Sequence, residues 1–265
     1  DLLVFFAMAY GAAQNDQNLW PLAAFMMVFQ TFRHISDYNF ARIQKLRQSK
    51  LSPVPFDQIA DGRQHYSKST SRYKYWLRKI INFPIGERWL AISLSVAIGG
   101  PKFTFIAMPI LSLISIIAVF RGRFIQTAKW DKNLIGETLI APQLDLLNTK
   151  RGLFTKLNWL EPSIIRAIEG AILIYIVSIT EAANEIEFLL IFAIMFHHYD
   201  VMYRALQGRE KPKWLQILGL TWPGRLLVIA LLTFNLNWLN WYFLVLFVGI
   251  SSVQWAAAMV KKNRI

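Results

Sequence analysis

INFPIGERWLAISLSVAIGGPKFTFIAMPILSLISIIAVF, residues 81–120, decides the fold class of this chain. Two apolar runs, Ile81–Gly99 and Phe103–Phe120, are joined by Gly99-Gly100-Pro101. Each run approaches the roughly 20 residues that a helix needs to cross a bilayer. Paired glycine followed by proline interrupts a helix, so two helices are expected with a break between them. Neither run alternates polar with apolar residues, which argues against a membrane β-barrel.

Six more runs extend this reading to about eight helices: Leu2–Ala13, Leu19–Phe32, Ile164–Thr180, Ile186–Tyr203, Trp222–Leu236 and Leu239–Val260. Leu2–Ala13 is too short to span, and is expected to be the truncated end of a membrane helix that starts upstream. Glu181–Glu187 and Asn235–Asn237 mark further breaks. The 265 residues are 55% hydrophobic and 14% aromatic, with mean hydropathy +0.34. The expected fold is therefore all-α, a polytopic transmembrane bundle.

Charge orients the bundle. One set of loops carries Arg42, Lys45, Arg47, Lys50, Arg63, Lys68, Arg72, Lys74, Arg78 and Lys79, then Arg121, Arg123, Lys129, Lys132, Lys150, Arg151 and Lys156. It continues with Arg204, Arg209, Lys211 and Lys213 and ends in Lys261, Lys262 and Arg264. The alternate loops carry Lys102 with Asp16, Glu181, Glu185 and Glu187. Cytoplasmic loops collect Lys and Arg, so the basic loops and the C-terminus are expected in the cytoplasm. The same rule accounts for the net charge of +13, and no nucleic-acid partner is expected. The lipid bilayer is the expected surrounding.

Trp20, Trp89, Trp222, Trp238 and Trp241 fall near helix ends, as interfacial aromatics do. Lys74–Lys79 (KYWLRK) reads either as a short interfacial helix or as a charged flank. Ala41–Arg78 reads as a long polar loop, and Ile135–Leu147 as a surface helix within Gly122–Pro162. The absence of cysteine excludes disulfides and thiolate chemistry. No P-loop, dinucleotide-binding glycine pattern or HExxH is present.

Ionisable side chains within membrane helices are costly, so they are candidates for function. Arg33, His34 and Asp37 end the second helix, and Glu87 and Arg88 begin the third. Arg166, Glu169, His197, His198, Asp200 and Arg204 form a possible polar cluster of the last four helices. Arg166 and Glu169, three apart, share a face and can pair. His197 and Asp200 share a face as well. They suit either two ligands of one metal, completed by His34 or Glu169, or ordinary hydrogen-bonding roles.

FQTFRHISDYNF (29–40), INFPIGERWL (81–90) and FHHYDVMYR (196–204) together resemble the C-terminal part of a group of actinobacterial membrane proteins. Those proteins carry a CDP-alcohol phosphotransferase domain followed by a further membrane region. The resemblance implies a phosphotransferase-like domain over residues 1–125 and a four-helix extension over 126–265. It implies transfer of a phosphoalcohol from a CDP-linked donor to an alcohol acceptor, in phospholipid or inositol-phosphate synthesis in a bacterial plasma membrane. It also implies Mg2+ or Mn2+ in the intact protein, and a homodimer. The metal-holding signature of that family, D-x2-D-G-x2-A-R-x8-G-x3-D-x3-D, is absent from this sequence. No catalytic residue and no metal ligand is therefore assigned here. Arg33, His34, Asp37, Glu87 and Arg88 are the substrate-binding residues that the resemblance implies. The alternatives are a transporter or channel module and a non-catalytic assembly subunit.

Overall fold

The computed structural model describes residues 2–13, 16, 19–51, 80–81, 83, 85–129, 157, 159–180, 184–206 and 212–262. Among them the fold is all-helical, with no strand. The helices are α1 (Leu2–Ala13), α2 (Leu19–Leu51), α3 (Ile85–Ala128), α4 (Glu161–Ser178) and α5 (Asn184–Leu206). They continue with α6 (Lys213–Leu218), α7 (Trp222–Leu231) and a 3-10 turn (Thr233–Asn235). One final helix runs through α8 (Leu236–Phe243), a π-helical stretch (Leu244–Ile250) and α9 (Ser251–Lys262). Residues 1–35 and 162–265 contribute to one compact unit, and residues 36–129 and 157–161 belong to another.

Three helical stretches are long and apolar enough to cross a membrane: Gly86–Ala128, Glu185–Arg204 and Thr233–Ala258. α1 and α7 are apolar but shorter. α4 is not among the three, and it carries Glu161, Arg166 and Glu169 within its length. Among the described residues three stretches thus meet the length and apolarity of a span, against eight apolar runs in the sequence.

In the first unit, α5 lies at the core. Phe188 and Leu190 to Met195 are all buried, as expected of a helix apolar on every side. α1 buries Phe5, Ala9 and Ala13, spaced four apart along one face. Its Phe6 ring sits 4.3 Å from Phe192 and 5.8 Å from Phe188. Trp20 closes this cluster, 4.8 Å from Phe188 and 6.1 Å from Tyr10. It is 1% exposed, so it is a core residue and not the interfacial anchor expected from its place at a helix end. Trp89, Trp238 and Trp241 are exposed. α4 meets α2 closely at Gly170, where an added Cβ would lie 2.5 Å from Val28 Cγ1.

In the second unit, α3 reverses the usual soluble pattern. Ile98, Ile106, Ile110, Ile114 and Ile117 are exposed, whereas Ser95, Thr104, Ser112 and Ser115 are buried. Small polar residues at helix contacts with apolar residues outside are what a lipid solvent selects. The break expected at Gly99–Pro101 is present as a kink. Gly100 takes φ 70°, ψ −172°, a conformation open to glycine. The Thr104 hydroxyl donates to the Gly100 carbonyl at 3.0 Å, capping the interrupted ladder. Elsewhere in this unit, Trp159 is fully buried against Phe40, Phe120 and Phe124, with centroids 5.2–5.9 Å apart.

Several boundaries differ from expectation. α2 continues to Leu51, so the first part of Ala41–Arg78 is helix, not loop. α3 begins at Ile85, after Phe83 at φ 50°, and continues past Phe120 to Ala128. Trp222–Leu236 shortens to Trp222–Leu231, because the chain turns at Thr233–Asn235 and the last helix starts at Leu236. Lys74–Lys79 and Ile135–Leu147 lie outside the described residues.

The α2–α4 contact gives a direct check. Gly170→Ala forces Val28 aside and is expected to cost about 1–3 kcal/mol. It should lower the thermal midpoint of the detergent-solubilised protein. Val28→Ala removes the opposing methyls, so the double variant should melt above Gly170→Ala alone. A double variant that melts lower would show that this contact is not the cause.

Candidate functional site

Glu169, halfway along α4, is fully buried. Its Oε2 accepts from Arg166 Nη1 at 3.0 Å and lies 2.9 Å from His198 Nε2. Its Oε1 accepts from Arg225 Nε at 2.8 Å. Arg166 is one turn back on the same helix, His198 comes from α5 and Arg225 from the first turn of α7. A single carboxylate thereby ties three helices together. Arg225, itself fully buried, extends the network: its Nη1 donates to the carbonyls of Gly219 at 3.1 Å and Leu220 at 2.9 Å. These carbonyls close the turn between α6 and α7, where Leu220 adopts φ 57°.

A second carboxylate, Asp200, lies two residues further along α5. Asp200 Oδ1 accepts from Arg204 Nε at 2.8 Å and from the Trp255 indole at 2.8 Å. Asp200 Oδ2 accepts from Ser251 Oγ at 3.2 Å. Arg204 Nη2 also donates to Gln254 at 2.9 Å, and its guanidinium lies 5.8 Å from the Trp255 ring. Ser251, Gln254 and Trp255 all belong to α9, so this network fixes α5 to the last helix.

The expected cluster of Arg166, Glu169, His197, His198, Asp200 and Arg204 thus resolves into two networks. His198, not His197, reaches Glu169. His197 stacks on Phe247 of the π-helical stretch, with centroids 4.2 Å apart and planes 22° apart. Adjacent helical residues point in different directions, which is why the two histidines serve different neighbours. Arg225 was missed by the sequence reading, as were Ser251, Gln254 and Trp255. Arg225 carried a readable signal, a lone cation inside an otherwise apolar run.

The residues implied by the resemblance fall as follows. Arg33 (3% exposed) and His34 belong to the first unit, where His34 makes an edge contact with Tyr199 at 5.3 Å. Asp37, Glu87 and Arg88 belong to the second. Asp37 pairs with Arg123 at 2.5 Å. The Arg123 guanidinium also faces Phe40 at 4.8 Å, Trp159 at 5.6 Å and Phe120 at 5.7 Å. Arg88 is 4% exposed, and Glu87 is half-buried.

A divalent cation fits none of these places. Hard cations need several carboxylate oxygens together. Here Glu169, Asp200 and Asp37 each face a guanidinium instead. Among the described residues no group of three or more His, Asp or Glu is placed to hold a metal. Of the pair read as possible metal ligands, Asp200 is engaged by Arg204, Ser251 and Trp255, and His197 stacks on Phe247.

Glu169→Leu leaves two arginines without their shared counter-charge in the bundle interior. The expected loss is about 3–5 kcal/mol, as for other broken buried pairs. Glu169→Gln keeps the shape and part of the hydrogen bonding, and is expected to lose less. Thermal unfolding in detergent orders the two. Equal stability of wild type and Glu169→Leu would show that Glu169 does not tie these helices.

No curated protein and no solved structure matches the chain. Residues 90–261, more than half of the chain, match a family of unknown function, DUF5941. That stretch contains α4 to α8, the π-helical stretch and both carboxylate networks. The chain belongs to this family of unknown function.

Proposed function

We propose that the chain is the membrane-embedded, non-catalytic portion of a CDP-alcohol phosphotransferase-like protein of a bacterial plasma membrane. The intact protein would move a phosphoalcohol from a CDP-linked donor to an alcohol acceptor. The observation that carries this reading is the burial of Arg33 and Arg88, the two arginines within the resembling segments FQTFRHISDYNF and INFPIGERWL. Arg33 lies midway along α2, and Arg88 lies in the first turn of α3, where a guanidinium ordinarily extends to the surface. These two are 3% and 4% exposed. Arginine matches phosphate through paired N–H donors, and each of the two is suited to a phosphate of donor or acceptor. The eight-span topology, the cytoplasmic C-terminus and the homodimer belong to the same proposal. Mg2+ or Mn2+ would be held outside this chain, since the metal-holding signature of the resembling family is absent from its sequence.

For residues 161–262 the two arginine-filled networks favour an assembly role. Glu169 is held by Arg166, His198 and Arg225, basic side chains of the same bundle, which locks helices without offering a reactive group.

The test is ligand binding by the purified chain. CDP-diacylglycerol, inositol phosphate and glycerol phosphate would be titrated in detergent or nanodiscs. One of them is expected to bind, with Arg88→Lys weakening binding about tenfold, or about 1.4 kcal/mol. With magnesium and CDP-diacylglycerol, the chain alone is expected to release no CMP. CMP release would overturn the non-catalytic assignment. Failure of all three ligands to bind would leave the assembly reading in place of the phosphotransferase one.

A further inference from the structure

α6 and α7 are each too short to cross a bilayer. At 1.5 Å per residue they extend about 9 Å and about 15 Å, against roughly 30 Å of hydrocarbon. Between them lies a non-helical turn at Gly219–Thr221. Exposed backbone carbonyls are tolerated at membrane depth only when the protein or water satisfies them. At this turn side chains supply the donors. The Tyr242 hydroxyl donates to the Leu218 carbonyl at 2.7 Å. Arg225 takes the carbonyls of Gly219 and Leu220.

Three neighbouring helices report the level of the turn. Arg225 meets Glu169 at a point about 12 Å from the Glu161 end of α4. His198, on the same carboxylate, is about 12 Å from the Leu206 end of α5. Gly219 packs against Phe247, where an added Cβ would lie 2.9 Å from the ring, and Phe247 is about 16 Å from Ala258. The three depths agree to within one helical turn, about 5.4 Å. Two of these helices, Glu185–Arg204 and Thr233–Ala258, contain stretches long and apolar enough to cross.

We propose that residues 213–235 cross the bilayer as one discontinuous helix, whose break at Gly219–Thr221 lies inside the hydrocarbon and is sealed by Arg225 and Tyr242. Glu169 holds Arg225 in place through its Nε while the Nη1 group caps the two carbonyls. The break is therefore a built feature with its own counter-ion. This inference does not depend on the phosphotransferase reading.

The chain has no cysteine, so each introduced thiol reports a single position. Lys213→Cys, Thr221→Cys and Asn237→Cys would be expressed separately and labelled in sealed vesicles of both orientations with a membrane-impermeant maleimide. Positions 213 and 237 are expected to label from opposite sides. Position 221 is expected to label from neither side, and to react fully after unfolding in SDS. Labelling of 213 and 237 from one side would overturn the crossing. Labelling of 221 in the intact protein would overturn its place in the hydrocarbon. Adding Arg225→Leu to Thr221→Cys should speed labelling at least tenfold, and an unchanged rate would overturn the sealing role. Should that variant fail to accumulate, Tyr242→Phe with Leu218→Cys asks the same question with a milder change. Faster labelling than in Leu218→Cys alone supports the seal, and equal rates overturn it.

Discussion

A carboxylate removed from water must be neutralised where it stands, and the first unit is arranged around that requirement. Glu169 has no exposed surface, and its two oxygens receive Arg166, His198 and Arg225. Desolvating so many ionisable groups costs several kcal/mol each unless their geometry compensates. Here the compensation comes from three different helices, so none can shift without exposing a charge to an apolar interior. Arg225 passes the constraint onward to the turn after α6. The positions of α4, α5 and α7 and the Gly219–Thr221 turn are thus linked through one side chain.

α3 shows the complementary constraint, imposed by solvent. Ile98, Ile106, Ile110, Ile114 and Ile117 face outward, and Ser95, Thr104, Ser112 and Ser115 face inward. Packing of small polar residues holds such a helix when apolar burial gives no advantage over lipid. The kink at Gly100 follows from the same chemistry. Pro101 carries no N–H, Gly100 adopts the positive φ, and the Thr104 hydroxyl donates to the Gly100 carbonyl where the helix resumes. Gly99 lets the chain close upon Phe103, where a Cβ would come within 2.6 Å of the ring-bearing carbon.

Helix existence was legible in the sequence because continuous apolar runs and Gly-Pro breaks act locally. Leu2–Ala13 and the Gly99–Pro101 interruption needed nothing beyond their own residues. Helix ends were less legible. Polar residues 41–51 continue α2 because amphipathic helix does not require an apolar run. The charged candidates could be named but not paired. Arg166 and Glu169 share one helix, so their spacing disclosed the pair. Arg225 and His198 join them across long sequence separations that spacing does not encode. Trp20 misled for a related reason: interfacial and core tryptophans look alike until Phe188 and Tyr10 are seen around one of them.

The π-helical stretch Leu244–Ile250 sets the phase between the two halves of the last helix. A π turn accommodates one more residue than an α turn, because its hydrogen bonds span five residues and not four. One residue more or fewer in a regular α-helix would rotate everything beyond it by about 100°. Ser251, Gln254 and Trp255 would then turn away from Asp200 and Arg204, while Phe243 stayed in the core. The widened turn takes up that rotation locally. Both halves of the helix thereby keep the faces they present to α5.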